Sequence, residues 1–380
     1  MNLAFRTKNL STEGSFQFSS KVKQFELETK KKVVKLHIGE PDFPTPDNVK
    51  QAGIQAIKDG KTGYTVPEGI LELRQAVCDC YSSYSPEQVL IGPGGKTLIN
   101  NVLSVFAEEG KEVIVPNPSY PAYEVSAKFF GAKPVYYNSL TFDVEELKER
   151  VSKKTSLLVL NSPSNPTGRV VGREFLKTVK DLALDNDFFV LSDEIYSRII
   201  YGKKFESITQ FKEIEDKIIL FDGFSKTYSM TGWRLAWVVC NPELASLLKV
   251  VGINSYSCPA NFVQWAGIEA LKGQQDSVKK MVSEYEKRKE FVVKRLNEMP
   301  GVDCYNPEGA FYVFPNISKA IKNKPTAEFQ NYLLEKFSVS VLAGTNFGSN
   351  GEGFIRISYA SSMNELKQGL DGIEKALKSF

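Results

Sequence analysis

Ile218-Ile219-Leu220-Phe221 runs through Asp222 into Gly223-Phe224-Ser225-Lys226-Thr227-Tyr228-Ser229-Met230-Thr231-Gly232-Trp233-Arg234. The first four residues are apolar without alternation, as in a strand covered on both faces. The second segment is rich in hydroxyls and ends in an arginine. An amine is a nucleophile only where its pKa is lowered or a carbonyl partner is supplied. Beside an anion-binding cluster, Lys226 suits a Schiff-base lysine whose aldehyde carries a phosphate. A solvated lysine on a strand-to-helix turn is the plainer alternative, since most lysines are solvated. Motifs upstream decide against it.

Working outward, the same kind of apolar run recurs at Gln88–Ile91, Glu112–Val115, Pro134–Tyr137, Leu157–Leu160, Phe188–Leu191 and Leu235–Val239. Helical patterns lie between them, for example Gly172 to Leu184. This alternation predicts an α/β fold with a mostly parallel central sheet sandwiched by helices. In such a sheet ligands bind at the carboxyl ends of the strands. A long helical pattern over Phe262–Asn297, broken at Gly273, leads to a C-terminal unit. That unit has short strands near Phe311–Phe314, Val339–Leu342 and Phe354–Ile357.

Four motifs follow predicted strands. Gly92-Pro93-Gly94-Gly95-Lys96-Thr97 opens a helix, but Leu90 stands where a Walker loop needs its first glycine. Its backbone N–H groups still suit an anion cradle, with a short structural turn as the alternative. Asn161-Ser162-Pro163-Ser164-Asn165-Pro166-Thr167-Gly168 is a rigid turn that fixes the direction of the Asn165 amide. In Ser192-Asp193-Glu194-Ile195-Tyr196 a solvated carboxylate is the ordinary reading. Asp193 would differ if it faced a pyridinium nitrogen, and Tyr196 could reach the same ligand. Pro116-Asn117-Pro118-Ser119-Tyr120-Pro121-Ala122-Tyr123 offers two aromatics for packing or for stacking on a flat ring. Further on, Arg356 sits inside the apolar run Phe354–Ser358, and a buried arginine needs an anion, ideally a bidentate carboxylate.

Composition excludes several classes. A net charge of +3 with pI near 8.3 is too mild for a nucleic-acid or membrane-surface protein. Lys30-Lys31-Lys32 reads as a solvated face. Five cysteines in no metal or disulfide spacing suit a reducing, cytoplasmic setting. No apolar stretch approaches the ~20 residues of a membrane span, and Met1–Lys8 lacks the apolar core of a signal peptide. His37 is the only histidine, so histidine triads and His-ligated zinc have almost no material. No metal is expected, and His37 reads as a packing residue.

Taken together these elements resemble the class I/II aminotransferases of pyridoxal phosphate (PLP) fold type I. The resemblance covers nearly the whole chain in order. Ile38-Gly39-Glu40-Pro41-Asp42-Phe43-Pro44-Thr45-Pro46 is similar to the family's N-terminal substrate loop. Tyr64 and Gly69 resemble the element that reaches a neighbouring subunit. The resemblance implies an N-terminal arm and part of a small α/β domain over 1–45, a large PLP-binding domain over 46–280 and the rest of the small domain over 281–380. Lys226, Asp193 and Tyr120 would be catalytic: the Schiff-base lysine, the partner of the pyridine nitrogen and the ring's stacking partner. Asn165 and Tyr196 would bond the phenolic oxygen. Gly95, Lys96, Ser225 and Arg234 would hold the phosphate, with Tyr64 reaching it from a partner chain. Gly39, Asn165 and Arg356 would receive the substrate's α-carboxylate. Gly223 departs from the pattern, because many relatives carry a serine three residues before the lysine. The implied activity is transfer of an amino group from an L-amino acid to a 2-oxo acid through pyridoxamine phosphate, in a homodimer with shared sites. A PLP-dependent β-lyase (C–S lyase) on the same fold is the alternative. Phe16 and Phe18 lean the substrate toward aromatic or apolar amino acids.

Overall fold

The computed structural model describes Ala4, Arg6, Thr7, Leu10 and residues 14–81 and 83–380. Much of the start of the expected 1–45 arm lies outside the described residues. The strands in chain order are β1 (Val34–Lys35), β2 (Val89–Gly92), β3 (Glu112–Asn117), β4 (Lys133–Asn138), β5 (Thr155–Asn161) and β6 (Phe189–Asp193). They continue with β7 (Ile218–Gly223), β8 (Ala236–Val239), β9 (Tyr312–Val313), β10 (Val339–Ser340), β11 (Leu342–Ala343) and β12 (Ile355–Ser358).

Seven strands form the central sheet in the order β2-β8-β7-β6-β5-β3-β4. β8 alone runs against the direction of the other six strands. The unbroken apolar runs have a direct cause here, since both faces are covered. Leu158, Leu160, Val190 and Leu220 enter one core, under the helices Arg173–Asn186 and Asn261–Lys272. Their neighbours Leu157, Val159, Leu191, Ile219 and Phe221 enter the core on the other face, with Leu98 and Val102 of the helix Gly95–Phe106. Successive side chains of a strand alternate between faces, so every position must be apolar.

A third core gathers Leu36 with Tyr285, Phe311, Val313, Phe329, Ile355, Ile357 and Leu370. It joins an N-terminal segment to the C-terminal hundred residues. Two small sheets belong to it, parallel β1-β10 and antiparallel β11-β12-β9. The expected strand Val339–Leu342 is split at Val341: its first half pairs with β1 and its second with β12. One apolar run therefore serves two sheets. The long helical pattern breaks at Gly273, as read, into Asn261–Lys272 and Asp276–Asn297.

The chain leaves β3 toward β4 but leaves β5 toward β6, on the opposite side. A crevice therefore opens at the carboxyl ends of β3 and β5, the switch point of the sheet. The segments carrying Tyr120 and Asn165 start there.

Two fully buried carboxyls lie side by side at the ends of β6 and β7. Glu194 Oε1 accepts from Ser192 Oγ at 2.9 Å and Ser207 Oγ at 2.6 Å. Asp222 Oδ1 accepts from the Gly223 N–H at 2.6 Å. Burial, aided by the charge of Asp222, pushes Glu194 from 4.5 up to about 8. Folding therefore takes up a proton at Glu194 between these values, and stability falls as pH rises through that window. Glu194→Gln keeps a neutral group of the same shape. Its melting temperature should fall less than the parent's between about pH 4.5 and about pH 8. Equal slopes in scanning calorimetry would contradict a protonated Glu194.

Candidate active site

A cavity of about 630 Å³ occupies the crevice. Gly39, Gly95, Lys96, Tyr120, Asn165, Asp193, Tyr196, Ser225, Lys226, Arg234 and Arg356 all line it. Tyr64 does not. It is 93% exposed and shares a separate surface depression with Lys61, Val66, Leu71 and Trp265.

One end of the cavity is built for an anion. The helix Gly95–Phe106 begins there, and among the described residues no side chain caps its first turn. Gly94 has φ +90°, and a Cβ on it would stand 2.3 Å from Arg234 Nη2. The glycine lets the guanidinium lie against the loop. Arg234 itself has φ +56°, a left-handed conformation that side chains seldom adopt. Its Nη1 donates to the Thr231 carbonyl at 2.7 Å. A helix N-terminus, a guanidinium and the Ser225 hydroxyl make a cradle for a phosphate. Gly223 adds no hydroxyl, and packing explains why. A Cβ there would lie 2.8 Å from Ala236 Cβ and 3.3 Å from Ile195 Cδ1, so a serine would not fit without movement of β8.

In the middle of the cavity, Lys226 Nζ donates to the Gly39 carbonyl at 2.5 Å. Burial, then the charge of Arg356, lowers this amine to about 8. Asp193, 3% exposed, accepts from Tyr123 Oη at 2.6 Å and from the Ile195 N–H at 3.1 Å. Burial pushes its carboxyl up to about 6, and these two donors with Lys226 hold it from rising further. Tyr123, one of the two aromatics of its loop, thus acts through its hydroxyl as well as by packing.

At the other end Arg356 is 4% exposed. Its Nη1 donates to Asn165 Oδ1 at 3.0 Å and its Nη2 to the His37 carbonyl at 2.6 Å. The buried Nε has no hydrogen-bond partner among the described residues, a rare condition in a native interior. The guanidinium stacks between Tyr312 and Phe347, 4.5 and 4.8 Å from the ring centroids. A Cβ on Gly39 would approach Tyr312 Oη to 2.7 Å, so the glycine keeps this end open. Tyr312 also meets Tyr196, hydroxyl to hydroxyl, at 2.8 Å. Nothing in its short strand singled it out beforehand.

The cavity wall includes Phe16, which is 61% exposed. Phe18 turns inward and packs edge-on against His37, with centroids 5.7 Å apart. The Lys96 amine stands 5.0 Å from the Phe16 ring centroid and 5.8 Å from that of Tyr120. Among the described residues no cluster of His, Cys, Asp and Glu could hold a metal ion. No helix among them is long and apolar enough to cross a membrane.

Comparison with known proteins bears on this geometry. The family described as aminotransferase class I and II matches residues 31–373. An aspartate aminotransferase of Pyrococcus horikoshii is 41% identical, over 91% of each chain. A (5-formylfuran-3-yl)methyl phosphate transaminase of Methanocaldococcus jannaschii is 38% identical, over 91% of this chain and 92% of that one. The crystal structure of an aspartate aminotransferase from Rhizobium meliloti superposes with a TM-score of 0.94 at 31% identity, covering 100% of this chain and 99% of that one. All three are transaminases, which does not favour the lyase alternative. With its Lys226, Asp193 and Arg356 gathered in one crevice, the chain belongs to the class I and II aminotransferases, PLP-dependent enzymes of fold type I.

Proposed function

We propose that the cavity holds pyridoxal 5'-phosphate and that the enzyme moves an amino group between an acidic L-amino acid and a 2-oxo acid. The observation that carries the reading is the charge of the wall. Lys96, Lys226, Arg234 and Arg356 face a single cavity in which, among the described residues, Glu40 and Asp193 are the only carboxylates. Such a surplus fits a phosphate at one end and carboxylates at the other.

The donor set matches the cofactor group by group. Gly95, Lys96, Ser225 and Arg234 would hold the phosphate, the first two by their backbone. Asp193 would face the ring nitrogen, Asn165 and Tyr196 the phenolic oxygen, and Tyr120 the flat ring. Lys226 would hold the aldehyde carbon. When bound, the cofactor supplies an electron sink for charge that develops at the substrate's Cα. The remaining work falls to the chain. Asp193 keeps an anion beside the ring nitrogen, with Tyr123 and the Ile195 N–H favouring its charged form. Arg356, with Gly39 and Asn165, would fix the α-carboxylate. Lys226 Nζ, lowered to about 8, can shed its proton near neutrality and take one from Cα. The Lys96 amine lies on the same wall as Phe16, where it would meet a second carboxylate. An acidic substrate is in keeping with the aspartate aminotransferases among the relatives, although an aromatic-amino-acid aminotransferase is among them too.

The same proposal extends to the assembly. Residues 46–280 would form the large domain and 281–380, with the N-terminal arm, the small one. The active unit would be a homodimer, with the exposed Tyr64 reaching the partner's phosphate. Half-exposed Val66 and Leu71 beside it are apolar surface for such a contact.

Two measurements check this reading. Borohydride reduction and peptide mapping should place a pyridoxyl adduct on Lys226, and Lys226→Ala should lose ~10²–10⁴-fold or more in turnover. An adduct on Lys96, or none, would overturn the assignment. For the shared site, Lys226→Ala and Tyr64→Ala chains should be mixed. A heterodimer has one site with both residues intact only if Tyr64 crosses the interface, so cofactor affinity should recover at that site. A verified heterodimer with no recovery would place Tyr64 in its own chain's service.

A further inference from the structure

His37 remains outside the roles described so far, yet it lines the cavity and is 3% exposed. Its ring makes two hydrogen bonds to different elements. Nδ1 lies 2.7 Å from Ser340 Oγ on β10, and Nε2 lies 3.2 Å from Ser19 Oγ. Ser19 belongs to the helix Gly14–Thr29. That helix also contributes Ser15 and Phe16 to the cavity wall, so its position shapes the space left for substrate. The backbone of His37 holds Arg356 through the 2.6 Å bond already described.

The proton inventory shows that both ring bonds persist. Ser340 Oγ can also donate to the Val34 carbonyl at 3.2 Å, and Ser19 Oγ to the Ser15 carbonyl at 2.8 Å. A neutral ring and two hydroxyls hold three protons for these four links. With the proton on Nδ1, the ring donates to Ser340 and accepts from Ser19. With the proton on Nε2, it donates to Ser19 and accepts from Ser340. Either tautomer keeps the tie to the helix, and only a link to a backbone carbonyl goes without a proton. A doubly protonated ring is opposed by burial and by the nearby Arg356 guanidinium.

We propose that His37 is a positioning residue: its imidazole docks the helix Gly14–Thr29 as the substrate-side wall of the cavity, through Ser19. The lone histidine of the chain thereby joins the α-carboxylate anchor, held by its backbone, to the helix that faces the rest of the substrate, held by its ring. A packing role alone would not require a side chain with polar atoms at both ends.

The test uses the full-length enzyme with aspartate and 2-oxoglutarate. The amide of His37→Asn stands where Nδ1 was and can reach Ser340 but not Ser19. The longer His37→Gln can reach Ser19. His37→Asn and Ser19→Ala should each raise KM roughly fivefold to tenfold, the scale of one neutral hydrogen bond, with kcat changed by less than about twofold. The double variant should be no worse than either single one, as for two residues acting through one bond. His37→Gln should restore most of the lost affinity. Hydrogen exchange, which does not depend on turnover, should quicken in Gly14–Thr29 for both single variants and stay unchanged in the central sheet. Faster exchange with an unchanged KM would reduce His37 to a structural residue. Unchanged exchange in the helix, or additive losses in the double variant, would overturn the proposal.

Discussion

A buried guanidinium must find acceptors or it destabilises the fold, and Arg356 finds them on two separate parts of the chain. Asn165, in the loop after β5 of the central sheet, takes one Nη. The His37 carbonyl, beside the C-terminal core, takes the other. The central sheet and the C-terminal unit thus meet at one side chain, whose strand β12 is itself the middle of the three-stranded sheet. These two bonds use two of the guanidinium's five N–H donors. The charge spreads its influence further, since it helps lower the Lys226 amine and the His37 ring. In the proposed function, cofactor chemistry and substrate binding are tied to the same group.

Against this cationic background the acids are sorted by surroundings. Asp193 receives a phenol and a backbone N–H and faces an amine, which favour its charge against burial. Glu194, its neighbour in sequence, receives two serine hydroxyls but also feels Asp222, and its pKa climbs to about 8. One of two adjacent carboxyls is thus supported as an anion and the other as an acid. Asp193 is the last residue of β6 and Glu194 the first beyond it, so the two meet different surroundings.

Much of this was legible in the residues. Parallel strands buried on both faces leave unbroken apolar runs, and those runs located every strand of the central sheet to within about two residues. Glycines and prolines after the strands marked the loops that build the cavity. Less legible was whatever depends on residues distant in sequence. The reversed direction of β8 and the division of Val339–Leu342 between two sheets follow from pairing partners, not from local pattern. The pairing of Glu194 with Asp222 was hidden because a carboxylate at a strand's end normally reads as solvated. His37 read as packing because its partners, Ser19 and Ser340, lie far away on either side. Tyr312 carried no signal at all: its hydroxyl matters only because Tyr196 and Gly39 converge on it.

In the proposed function Arg356 is the place where substrate, rather than cofactor, is recognised. Replacing it by lysine keeps the charge and removes the planar fork. Binding of the amino donor and of the 2-oxo acid should each weaken by on the order of tenfold to a hundredfold, the scale of lost charged hydrogen bonds. Affinity for pyridoxal 5'-phosphate, titrated by absorbance in the same Arg356→Lys preparation, should stay within about threefold of the parent. Equal losses for substrate and cofactor would contradict the account and make Arg356 a structural tie between the two parts of the chain.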